Sequence, residues 1–214
     1  MLISGVQLDV NESINIYGNL VMQNSGILTL GLDWFRNGTF TPGNGKVVFT
    51  GTSSSIITSN ESFNLIDLNK QFDNALIEVY GANVTCQQYR WIKGGIKVRQ
   101  NGVFTAQDLF NNGLFGSYEI DNSGGIINLS NYGGWIDLNG KINLSGGTMN
   151  VYGGSTYSYW PFVGNAEINI TNGILDFKEQ GMFINNNAPG YTSTENITGG
   201  TIRTSQGFNG HRSD

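Results

Sequence analysis

The chain has 214 residues, of which only 13% are charged, and it carries a net charge of −5 with an isoelectric point near 4.8. Its 11 Lys and Arg residues are scattered singly, so the sequence predicts no nucleic-acid partner. No apolar run approaches the ~18 residues of a membrane-spanning helix, and the N-terminus lacks a signal-peptide pattern. The 31 Gly and 28 Asn residues indicate many turns, while 12% aromatic residues indicate a buried core rather than disorder.

The N-terminal part alternates apolar and polar residues in short runs, as half-buried strands do. Residues 5–30 contain three such runs, separated by breaks rich in Asn, Glu, Ser and Gly. Further strands are expected at residues 46–50, 55–58, 63–69, 75–81 and 83–86. The apolar phase slips once between Leu65 and Ile66, which predicts a bulge or a bend there.

The second half repeats one pattern, in which two alternating runs flank a bend that contains glycine. The segment 141–154, KINLSGGTMNVYGG, is its clearest copy, and related copies occupy 168–177 and 195–204. The bend residues Gly147, Gly173 and Gly200 recur at a period in the twenties, which is typical of a β-solenoid. Residues 71–115 are less regular, and the best helical segment, 106–112, is too short for more than one turn.

These patterns predict an all-β chain that folds as a right-handed parallel β-helix, or β-solenoid, with turns rich in Gly and Asn. We expect about nine coils of ~24 residues in a single domain over residues 1–214. Asn side chains are expected to stack between coils. The side chains expected to point inward are Met149, Val151, Leu175, Phe177 and Ile202.

Residues 45–70, GKVVFTGTSSSIITSNESFNLIDLNK, resemble a segment common in very large surface proteins of Bacteroidetes. The matching positions are Gly45, Val47, Phe49, Gly51, Ile56, Ile57, Phe63, Asn64, Leu65, Leu68 and Lys70. The resemblance implies a β-helical array exported by the type IX secretion system and located at the outer membrane or outside the cell, in some cases as an adhesin. Residues 199–214 resemble the last strand of one such repeat. We therefore expect a fragment of a longer repetitive protein whose partners are further coils or domains of the same polypeptide or assembly.

Parallel β-helices also occur as polysaccharide lyases and hydrolases, so carboxylates and bases were sought. A hydrolase needs two carboxylates ~5–9 Å apart, and only Glu119 and Asp121 share one face of a strand. Three other acidic residues stand alone in the sequence: Asp137, Asp176 and Glu179. The residues that would serve as a lyase base are Arg90, Lys93, Lys97 and Arg99. Solvated faces of strands account for both groups, so we expect no catalytic residues.

The single histidine, His211, and the single cysteine, Cys86, limit the remaining chemistry. Together they cannot build a zinc site, and the calcium-binding nonapeptide is absent, so neither a metal nor a cofactor is expected. Cys86 cannot form an intramolecular disulfide, and we expect it to be buried and inert. Threonines do not keep the single register that an ice-binding face requires.

Residues 157–162, YSYWPF, interrupt the alternation and are expected to form a loop that protrudes from one coil. Exposed aromatic rings can stack on sugars or anchor a partner, although rings can also fold back over a coil. The candidate ligand-binding residues are therefore Tyr157, Tyr159, Trp160 and Phe162. The favoured hypothesis is a non-catalytic structural or adhesive repeat segment of a secreted or surface protein. The alternative is a β-helix that binds or degrades polysaccharide, with surface glycans as partners.

Overall fold

The computed structural model describes residues 1–110, 117–131, 139–153, 160–162, 166–178, 182–184, 193–205 and 208–209. These residues form 22 β-strands and no helix. The strands are β1 Leu2–Ser4, β2 Gln7–Val10, β3 Ile14–Ile16, β4 Asn19–Gln23, β5 Ile27–Leu30, β6 Trp34–Arg36, β7 Thr39–Thr41, β8 Lys46–Phe49, β9 Ser55–Ile57, β10 Glu61–Asn69, β11 Leu76–Tyr80, β12 Asn83–Arg99, β13 Val103–Phe110, β14 Ser117–Asn131, β15 Asn139–Gly153, β16 Trp160–Phe162, β17 Ala166–Ile170, β18 Ile174–Phe177, β19 Met182–Ile184, β20 Ser193–Ile197, β21 Thr201–Thr204 and β22 Phe208–Asn209.

Every strand pairing among the described residues is parallel, and each strand pairs with the equivalent strand one coil away. The chain therefore winds as a parallel β-solenoid, which confirms the predicted fold class. Pairing between coils satisfies the backbone groups of most described strands, and the strands that pair on one side only lie in the two end coils and at β7 and β16. The right-handed sense of the coil stays a prediction.

Three vertical ladders of paired residues run along the solenoid. The first consists of Phe63, Cys86, Ala106, Leu129, Val151, Phe177 and Thr204. The second consists of Gln7, Ile27, Lys46, Leu65, Gln88 and Asp108. The third consists of Ile14, Trp34, Ile57, Val79, Val98, Asn122, Leu144, Ile170 and Ile197. The third ladder has nine members among the described residues, and the other two are shorter.

The core consists of apolar columns inside these ladders. Met149, Val151, Leu175 and Phe177 are at most 1% exposed, and Ile202 is partly buried against the same core. The predicted inward phase of these strands is therefore confirmed. Burying one such side chain stabilises the fold by roughly 1.5–3 kcal/mol relative to leaving it in water.

Stacked glycines form one corner of the solenoid. Gly147, Gly173 and Gly200 all have positive φ, of 73°, 125° and 79°. A Cβ on Gly173 would lie 2.9 Å from the carbonyl oxygen of Gly147, and one on Gly200 would lie 2.6 Å from that of Gly173. The predicted repeat of these three residues therefore has a physical cause, since only glycine permits both the turn and the close stacking.

Strand β10 turns the corner between the first two ladders. Phe63 and Ile66 are both buried, whereas Leu65 between them is only partly buried. Strand β8 pairs with β10 only from Leu65 onward, while β12 pairs with it from Glu61. The phase slip that the sequence shows is thus a change of ladder within one continuous strand.

One local prediction is wrong. Residues 160–162 are strand β16, paired with β19, rather than part of a protruding loop. Pro161 lies in a strand that pairs on one side only among the described residues, and edge strands are where proline occurs in sheets. The described part of the weak helical segment, residues 106–110, is extended, since β13 continues through Phe110 and pairs with β12, in agreement with the all-β prediction.

Candidate binding surface

The predicted aromatic site can be placed only in part. Tyr157 and Tyr159 lie outside the described residues. Trp160 and Phe162 belong to β16, where they pair with Met182 and Ile184 of β19.

The predicted carboxylate pair lies on the outer face of the third ladder, and each acid has a partner. Asp121 makes an ion pair of 2.7 Å with Lys97 from the coil before. Glu119 accepts a hydrogen bond of 3.2 Å from Nδ2 of Asn143 in the coil after. The two acids therefore bridge neighbouring coils instead of facing a shared space.

Each member of the predicted basic cluster also faces a carboxylate. Arg90 pairs with Asp67, Lys93 with Asp73 at 3.9 Å, Lys97 with Asp121 at 2.7 Å, and Arg99 with Glu78 at 2.6 Å. The hydrogen bonds that Arg90 donates to the Asp67 carboxylate raise the pKa of Arg90 above its ordinary value, so this group stays charged. The cluster is thus neutralised along the stack and offers no unpaired base.

The other predicted polar residues are dispersed. Asp176 is buried and pairs with Lys178 at 2.5 Å and with Arg203 at 3.8 Å. Asp137, Glu179 and His211 lie outside the described residues. Within the described part of the chain, no group of three or more His, Cys, Asp or Glu side chains could hold a metal ion.

The cysteine is buried as predicted. Cys86 is 1% exposed in the inward column of the first ladder, and its Sγ lies 3.8 Å from the carbonyl oxygen of Thr105. Burial raises the pKa of this thiol far above neutrality. Cys86 is therefore a core residue that forms no reactive thiolate at physiological pH.

The described core also holds charged groups that sequence reasoning missed. Lys70 is 2% exposed, and its Nζ donates hydrogen bonds to the carbonyl oxygens of Thr50 (2.6 Å) and Gly31 (3.4 Å) and to Oγ of Ser55 (2.6 Å). Burial lowers the pKa of Lys70 to about 8, and the charge of Asp33 opposes that shift only in part. This ammonium thus joins segments of successive coils at one corner.

Two buried carboxylates accompany Lys70 in the same part of the chain. Asp67 is 2% exposed and accepts from both Arg90 and Lys46, the latter at 3.1 Å. Glu61 is 5% exposed and accepts from Nε of Arg36 at 2.7 Å and from Oγ of Ser59 at 2.5 Å. Both acids have charged partners, as a buried carboxylate requires.

Asparagine ladders cover much of the outer surface of the later coils. Asn196 donates to Asn169 (2.8 Å) and Asn169 donates to Asn143 (2.9 Å), one coil apart in each case. A second ladder joins Asn150 to Asn128 at 2.9 Å. The predicted stacking of Asn between coils is therefore confirmed.

A shallow depression of about 480 Å³ lies where the first ladder meets the second. Its lining consists of Asn64, Gln87, Gln88, Gln107 and Asp108. The pairing register stacks Asn64, Gln87 and Gln107 in three successive coils, with Gln88 and Asp108 beside them. This surface is called the amide depression below. The signal in the sequence was an amide recurring at one position of the repeat, which becomes visible only once the register is known.

Comparison with known proteins identifies no relative of this chain. No known protein family matches this chain, and no curated protein or solved structure is similar to it. The described residues contain no helix, and therefore no helix that is long and apolar enough to cross a membrane. The amide depression and the open ends of the stack are therefore the features from which a function has to be argued.

Proposed function

We propose that this chain is a non-catalytic structural or adhesive segment of a secreted or surface-displayed protein, stacked at its ends on further coils. One observation carries the proposal. At both ends of the described solenoid, side chains of the core columns are exposed to solvent. In the third ladder, Leu144 and Ile170 are at most 1% exposed, whereas Ile197, the next member, is 49% exposed.

The same opening occurs at the first coil. Leu28 and Leu30 are fully buried, but their ladder neighbours Leu8 and Val10 are only partly buried. Five of the eight exposed large hydrophobic residues among those described belong to the first or last coil: Met1, Leu2, Val6, Tyr17 and Ile197.

The edges match these open cores. Strands β1, β2 and β3 pair on one side only, and so do β20, β21 and β22 at the other end of the described chain. Unpaired parallel edges and exposed core columns favour another coil of the same kind as the occupant, because that coil would satisfy both. Export by the type IX system and location at the cell surface belong to this proposal, supported by the resemblance of residues 45–70.

Sedimentation velocity over a range of concentrations tests the stacking. We expect the purified chain to form end-to-end assemblies that lengthen with concentration, and we expect Ile197→Lys to shorten them. The matched control is Ile126→Lys, because Ile126 is similarly exposed, at 41%, but lies in the middle of the stack. Equal assembly by both variants, or a monomer at all concentrations, would contradict the stacking.

A catalytic role is the alternative, and a separate assay addresses it. The protein is incubated with neutral and acidic polysaccharides, and reducing ends and unsaturated products are measured. The paired state of Glu119, Asp121 and the basic cluster supports an inactive protein. Turnover of any polysaccharide would refute the non-catalytic proposal.

A further inference from the structure

The amide depression contains hydrogen-bonding groups that the fold does not use. Gln87 and Gln107 are exposed, and within the described structure their side-chain amides have no hydrogen-bond partner. Their neighbours are held in place, since Gln88 donates to Asp108 at 3.4 Å and Asn64 donates to the carbonyl oxygen of Gly45 at 3.2 Å. The depression thus combines two free amides with two fixed ones.

This contrasts with the other outer amides. Asn196 donates to Asn169 and Asn169 donates to Asn143 along the ladder, while Asn143 donates to Glu119. At the amide depression the longer Gln side chains stack in register without bonding to one another, so each retains donors and an acceptor. The same repeat therefore produces a closed amide ladder on one side and an open one here.

The chemistry of the lining restricts the ligand. Four amides and one carboxylate offer both donors and acceptors, as do the hydroxyl groups of a sugar, each of which donates and accepts. The lining contains no cation to bind an anionic ligand and no aromatic residue to bind an apolar one. Asp108 would also repel an acidic sugar.

The depression is large enough for a small ligand, since sites for such ligands span about 300–1,000 Å³. We propose that the amide depression binds a neutral saccharide, with Gln87 and Gln107 as its main hydrogen-bonding residues. This inference rests on the proposed adhesive function and gives it a ligand class.

An array of immobilised neutral oligosaccharides, acidic oligosaccharides and peptides tests the inference with the whole chain. We expect binding to at least one neutral oligosaccharide. The double variant Gln87→Ala/Gln107→Ala should weaken it at least about tenfold, as expected for loss of a few hydrogen bonds. The matched control is Gln23→Ala/Gln71→Ala, which alters two exposed glutamines outside the lining and should bind within about twofold of the parent.

Thermal unfolding verifies that both double variants are folded, and Gln107→Asn serves as a milder change if the alanine variant is not. Binding only to acidic sugars, binding only to peptides, or no loss in the Gln87/Gln107 variant would overturn the inference. A chain that binds no saccharide but still assembles end to end would overturn this inference alone and leave the proposed function standing.

Discussion

Lys70 provides the sharpest test of the structure, because a buried ammonium makes stability depend on pH. Its pKa is about 8 in the folded chain, against an ordinary value of 10.5. Below pH 8 both states are protonated, and the folded state bears the full cost of the buried charge. Between pH 8 and 10.5 the folded state loses its proton first, so the free energy of unfolding rises with pH.

The size of the effect follows from the two pKa values. Between pH 7 and pH 10 a shift of this size corresponds to about 2.5 kcal/mol, or about 1 kcal/mol if solvent screens the ammonium more than its 2% exposure implies. Lys70→Met keeps the length of the side chain and removes the titrating group. Relative to Lys70→Met, the parent should therefore gain about 1–2.5 kcal/mol over this pH range.

Urea unfolding at pH 7 and pH 10, followed by tryptophan fluorescence, measures this difference. Burial raises the pKa values of Cys86 and Tyr89, and these groups make both proteins less stable at high pH. Because both proteins contain them, their contribution cancels in the comparison. An equal pH dependence of the two proteins would refute the buried position of the Lys70 ammonium.

Two further predictions concern the core. Val151→Asp places a carboxyl at a fully buried position and should lower the free energy of unfolding by about 3–5 kcal/mol. Urea unfolding measures this loss. A variant as stable as the parent would mean that Val151 does not point into the core. Tyr89→Phe removes a fully buried hydroxyl that has no hydrogen-bond partner, so it should raise the free energy of unfolding by about 1 kcal/mol in the same urea assay. A lower free energy of unfolding would show instead that this hydroxyl has a partner.

The core columns were predictable because they follow from local rules. Apolar and polar residues alternate at 149–151 and 175–177. This alternation places Val151 and Phe177 in the interior of the solenoid, regardless of which residues the neighbouring coil contains. The bend glycines were predictable for the same reason, since Gly147 and Gly173 combine a positive φ with close stacking. Both features depend on a few adjacent residues.

The buried polar residues were not predictable, because the burial of a polar side chain depends on the coils that pack around it. Asn122 occupies an inward position, where it donates to the carbonyl oxygens of Gly125 and Thr148 and accepts from the N–H groups of Gly124 and Gly125. From the sequence alone it resembles any other turn asparagine. Its fully buried side chain instead completes a corner of the solenoid.

The candidate ligand site shows the same limit. The sequence directed attention to the aromatic segment at 157–162, because composition marks it as unusual. Gln87 and Gln107 are ordinary residues until the 20-residue offset between β12 and β13 places them in one column. Register, not composition, creates the amide depression.

The buried ionic groups at residues 61–70 fix the register of this segment against its neighbouring coils. They do so more strongly than the asparagine ladders fix the register of the later coils. A slip of one residue would remove Lys70 from the acceptors on Gly31, Thr50 and Ser55 and leave a buried ammonium unpaired. In an asparagine ladder the outer amides can find water instead, so a slip there costs less. Lys70 thus fixes how one coil sits on the next, and in the proposed end-to-end assembly further coils would stack in the same register.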